Sequence, residues 1–252
     1  MHLMNFPMVF GVLSALALWV AARAGAALHK RSGPTQEGAQ EDLGFVVGAI
    51  LTLLGLLIGF SFSMAISRYD QRKNYEEEEA NAIGTEYVRA DLLPAAEGTA
   101  VRQLLSKYLD QRILWYEARD RAKLSAIDAE TTRLENQMWA EVKTAAGAQP
   151  NQIVAVVVTG MNDVLNRQGY TQAAWWNRIP SAAWLMMFAM AICANILIGF
   201  GAHSRHARLF FVLPLIASIS FFLIADIDSP RGGAIRVRPQ NLEALAQSLR
   251  PH

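Results

Sequence analysis

The chain has 252 residues, of which 52% are hydrophobic and only 18% charged, with a formal net charge of +1. That balance excludes an ordinary soluble globule and leaves no basic field to attract nucleic acid. Cys193 is the single cysteine and sits in an apolar run, which excludes a disulfide framework or a cysteine metal site within one chain.

The first apolar segment predicts a membrane span over residues 6–28, bounded by Arg23, His29, Lys30 and Arg31. Ala22-Arg23-Ala24 loosely imitates a signal-peptide cleavage site. The preceding MHLMNFP has no Lys or Arg, so a retained span is expected. Residues 32–42 (SGPTQEGAQED) read as an exposed loop.

A second span, 43–67, carries no charge and is long enough to cross a lipid bilayer, which takes about 20 apolar residues. It continues without a Pro into RYDQRKNYEEEEANAIGTEYVRADLL, which predicts one helix running from the membrane into water. Gly44, Gly48, Gly55 and Gly59 fall on or near one face, and such small residues let helices approach closely. Packing within the subunit and contact between subunits both remain open for that face.

Residues 68–178 are mostly polar and read as a helical domain. Tyr69, Ala80, Ile83, Tyr87 and Ala90 mark the packed face of the first helix, and Pro94 follows its end. A second helical stretch runs from about Thr99 towards Thr144, with a break near Lys123. Gly147 and Pro150 punctuate, and Ile153 to Tyr170 reads as a further helix, although its valines also suit a short strand.

The third span is 179–202, entered through Trp175, Trp176, Arg178 and Trp184, which suit a bilayer interface. A polar turn containing His203 and His206 leads to the fourth span, 209–225. The tail 228–252 is basic and irregular, with one short amphipathic helix over 241–249. The expected organisation is therefore a transmembrane hairpin (1–67), a helical cytosolic domain (68–178), a second hairpin (179–227) and a cytosolic tail. Lys and Arg near the span ends favour the insert and both termini in the cytoplasm.

Motifs of enzymes are missing: there is no phosphate-binding loop, dinucleotide fingerprint, nucleophile elbow or His-Glu-x-x-His, so no catalytic residue or cofactor is expected. His203 and His206 are too few for a metal site, and Asp226 and Asp228 are expected to pair with an Arg on their own side rather than hold a cation. Four consecutive carboxylates, Glu76, Glu77, Glu78 and Glu79, cover a whole helical circumference, so at least one faces any axis the helix lines. In a symmetric oligomer that residue becomes a ring at a pore mouth. The alternative is a solvated face balanced by Arg72, Lys73 and Arg89. In the span itself, Phe60, Ser63, Met64 and Ser67 are candidates for a constriction, against ordinary packing with serines bonding back to their own helix.

The segment GLLIGFSFSMAISRYDQRKNYEEEEANAIGTEYVRADLLP resembles the signature of bacterial membrane proteins with the bestrophin-like domain, and IADIDSPRGGAIRV resembles the same family. More distantly the layout is similar to bestrophins, pentameric chloride-permeable channels with a cytosolic insert between the second and third spans and a pore lined by the second. Arg68, Tyr69, Asp70, Arg72 and Glu76 echo the charged segment that follows that span, with Asn74-Tyr75 in place of its Trp-Trp. Asp228-Ser229-Pro230-Arg231-Gly232-Gly233 stands where animal bestrophins build a calcium site, without their acidic run.

The resemblance implies an all-α, four-span homo-oligomer of the bacterial inner membrane, pentameric, that conducts small inorganic ions. Arg68, Tyr69, Asp70, Arg72, Arg178, Asp226 and Asp228 are expected in structural or interfacial roles. Selectivity stays open: the resemblance implies anions, whereas the Glu run repels them. The competing reading is a non-conducting scaffold or signalling protein whose helical insert binds a partner.

Overall fold

One helix of 53 residues, α2 (Glu37–Arg89), carries the apolar segment straight into the charged one. No Pro interrupts it, and it absorbs residues 37–42 that the composition assigned to a loop. The structure is a computed structural model that describes residues 5–32, 37–201 and 209–250. The turn holding His203 and His206 lies outside the described residues. Among the described residues the elements are all helical: α1 (Pro7–Ser32), α2, a 3-10 turn (Ala90–Leu92), α3 (Ala95–Glu117), α4 (Arg121–Ala148), α5 (Gln152–Trp176), α6 (Ser181–Gly201), α7 (Leu209–Asp228) and α8 (Gln240–Ser248).

Local chemistry sets these boundaries. Pro94 occupies the cap position before α3, where its missing N–H is no loss. The break expected near Lys123 falls at residues 118–120, because Asp120 caps α4 by accepting from the Ala122 N–H at 3.0 Å. Asn151 does the same for α5 through the Val154 N–H at 2.9 Å, and the valine run is helix rather than strand.

Two compact units divide the chain: Met1–Arg68 with Arg178–Arg236, and Tyr69–Asn177 with Val237–His252. In the first, α1 packs on α6 and α7. A Cβ on Gly25 would collide with the Ile196 carbonyl, and one on Gly199 with that of Ala22, so these glycines bring the α1 and α6 backbones together. Phe10 meets Trp184 edge-on with ring centroids 5.2 Å apart, which puts Trp184 in the interior instead of at an interface.

The second unit closes around an apolar core. It includes Ile83 of α2, Leu105 and Leu109 of α3, Leu134 and Met138 of α4, Val157 and Met161 of α5, and Leu242 of α8. Side chains of this kind contribute about 1.5–3 kcal/mol each when fully buried. Trp175 also turns inward, with its ring centroid 4.6 Å from that of Trp115, while Trp176 remains 73% exposed.

Candidate functional site

α2 presents two different faces. In its polar half Arg72, Glu76, Glu79, Ile83 and Glu86 are all buried, alternating by four and three residues, and Ala90 of the following 3-10 turn keeps the spacing. In its apolar half Leu54, Ser61 and Ala65 are buried in the same phase. Roughly a third of a turn away lie Phe60, Ser63, Met64 and Ser67, all exposed, and that strip continues through Gln71 and Asn74.

Little of the apolar half is covered by its own subunit. Only 6% of its most apolar stretch is buried, against 39% for the first spanning helix and 50% for the last. Gly44, Gly48, Gly55 and Gly59 have no atom within 4 Å of an added Cβ. Packing inside the subunit, one of the two readings of that glycine face, is therefore overturned.

The four glutamates occupy three environments. Glu79 is wholly buried and ion-paired with Arg112, whose Nε donates to Oε1. Its Oε2 accepts from the Thr171 hydroxyl at 3.1 Å and the Tyr116 hydroxyl at 3.3 Å. The Arg112 guanidinium lies 4.6 Å from the Trp115 ring centroid. Glu76, also buried, accepts from the Asn241 N–H at 2.9 Å, the Asn241 amide at 2.6 Å and the Leu242 N–H at 3.0 Å. The cap residue of α8 is Pro239, whose side chain has no acceptor to offer, so Glu76 of α2 supplies one at that helix N-terminus. Burial raises the Glu76 carboxyl above its ordinary range, offset in part by these three donors.

Glu78 is half-exposed and pairs with Arg167 of α5, and Glu77 is exposed. Two of the four carboxylates expected at a vestibule are thus turned into the subunit, where their partners come from α3, α5 and the start of α8. Sequence spacing alone offered only same-helix partners.

In the first unit, the residues flanking the spans form a second polar cluster. Asp228 accepts from the Ile179 N–H at 3.2 Å, and Arg68 Nη1 lies 3.7 Å from it. Asp226 accepts from the Ala234 and Ile235 N–H groups at 2.8 and 2.9 Å, which folds the Gly232-Gly233 turn back onto the end of α7. Arg178 donates to the Asn5 side chain at 2.7 Å. In the second unit, Arg72 is buried with Nε 3.4 Å from the Ala174 carbonyl, Tyr69 packs against the core, and Asp70 is exposed. Among the described residues no group of three or more His, Cys, Asp or Glu is placed to hold a metal ion.

The Bestrophin-like domain family matches residues 8–242. The chain belongs to the Bestrophin-like family. Its fold is similar to a crystal structure of a bacterial bestrophin homologue from Klebsiella pneumoniae carrying one substitution, with a TM-score of 0.64 at 15% identity, covering 95% of this chain and 93% of that one. A second structure of a bacterial bestrophin homologue from Klebsiella pneumoniae gives a TM-score of 0.62 at 16% identity, covering 96% and 94%. No curated protein matches. Among the described residues of this Bestrophin-like protein, four helices are long and apolar enough to cross a membrane.

Arg112, Thr171 and Glu86 went unnoticed in the sequence, and Gly160 read only as one position of the helix over 153–170. The signal for Glu86 was present: Arg72, Glu76, Glu79, Ile83, Glu86 and Ala90 keep a buried-helix spacing. Charged residues at those positions read as solvent-facing until their partners on other helices are known.

Proposed function

We propose that this Bestrophin-like protein is a homo-oligomeric ion channel of the bacterial inner membrane, pentameric as bestrophins are, with α2 lining the pore. The observation that carries the reading is the nearly bare apolar half of α2, continuous with a charged helix of the same rod. A span this uncovered needs neighbours, and copies of itself around an axis supply them. Phe60 and Met64 form an apolar constriction with Ser63 and Ser67 beside them, an arrangement that gates by dewetting. The vestibule charge is carried by Glu77, with Glu78 next to it, and favours cations; Glu76 and Glu79 hold the helical domain together. That domain and both termini lie in the cytoplasm, between and beyond two transmembrane hairpins.

The test is flux through purified protein in liposomes under matched gradients of potassium chloride and potassium gluconate. Protein-dependent flux that survives replacement of chloride supports the cation pathway. Flux that disappears with chloride makes it an anion pathway. Absence of flux at every voltage, pH and calcium level overturns conduction in favour of a scaffold.

A further inference from the structure

A cleft of about 360 Å³ opens between the polar half of α2 and α5, lined by Glu78, Asn81, Thr85, Arg89, Asp163 and Arg167 among others. Beneath it Glu86 is wholly buried, and neither of its carboxyl oxygens has a hydrogen-bond partner among the described residues. The paired cation, Arg89, holds its Nη1 3.9 Å from Oε2, too far for a hydrogen bond. Gly160, a lining residue of the cleft, abuts both groups: a Cβ there would collide with Glu86 Oε2 and with Arg89 Nη1.

We propose that Glu86 is a proton-binding site whose occupancy sets the position of Arg89 and with it the charge of the cleft. The carboxyl oxygens are covered, so a proton reaches them without displacing Arg89 or α5, which a larger cation would have to do. The charged groups facing the site support this. Arg89 on its own helix is partly exposed and not hydrogen-bonded to it. From α5, Asp163 adds a like charge, and Arg167 is committed to Glu78. Arg112 of α3 lies about two turns back along α2, held by Glu79. An ionised Glu86 is therefore a buried charge with Arg89 to recruit, and recruiting it draws that side chain out of the cleft. With Glu86 protonated, the two arginines balance Glu78 and Asp163; with Glu86 ionised, one negative charge is in excess. Burial pushes the Glu86 carboxyl up to about 8, which puts the exchange at the alkaline edge of neutrality.

The site does not depend on conduction, and its test does not use flux. The purified full-length protein and E86Q are melted across a pH series, and the protonated-carboxyl stretch is followed by infrared difference spectroscopy. The folded state holds the proton between the ordinary value of 4.5 and about 8, so the stability it confers is lost as pH rises through that window. The wild-type melting temperature is expected to fall relative to E86Q as pH rises, and E86Q to lack a carboxyl band that the wild type shows at neutral pH. Parallel pH profiles, or no missing band, overturn the proposal. R89Q serves where E86Q does not fold: loss of the adjacent cation moves the band's disappearance to higher pH, and an unmoved titration overturns the role of Arg89.

Discussion

Glu79 and Arg112 are both 0% exposed and meet in the middle of the helical unit, one from α2 and the other from α3. A buried pair of this kind is weak as a source of net stability but destructive when halved, because the remaining charge has no solvent. E79A or R112A is expected to destabilise the domain by about 3–5 kcal/mol. E79L combined with R112M should recover most of that loss. Thermal melts of the three variants in detergent check it; equal losses in single and double variants count against an interior pair.

Glu76 acts as the acceptor for the first turn of α8, and its loss should release that helix. Hydrogen bonds to a charged group contribute about 1.5–3 kcal/mol, so E76A is expected to expose residues 240–250 to proteases while E77A leaves them protected. A digestion time course followed by mass spectrometry measures this directly.

The burial pattern separates the glutamates functionally. In planar bilayers E77Q is expected to shift the reversal potential toward anions under a salt gradient. E79Q should lower the melting temperature and leave the reversal potential unshifted in proteins that still assemble. The reverse pattern removes Glu77 from the ion path.

Phe60 is 61% exposed on the face proposed to meet the axis. F60A is expected to raise single-channel conductance by widening and wetting the constriction, and F60W to lower it. Conductance indifferent to both places the constriction elsewhere on α2.

The apolar runs and the absence of Pro from the second span through residue 89 determined the spans and the long helix from sequence alone, since bilayer thickness and backbone hydrogen bonding constrain them locally. The caps at Asp120 and Asn151 and the helical course of residues 37–42 came only with the structure. What the tertiary structure decided is which side of each helix matters. Four adjacent glutamates point every way around a helix, so their roles depend on Arg112, Thr171, Arg167 and Asn241, which lie far off in sequence and come near only on folding. Likewise the glycine row of α2 signals close approach without naming the partner. Gly25 and Gly199 make such an approach within the subunit, whereas Gly44, Gly48, Gly55 and Gly59 leave theirs open, because contact is a property of two surfaces and a sequence pattern describes one.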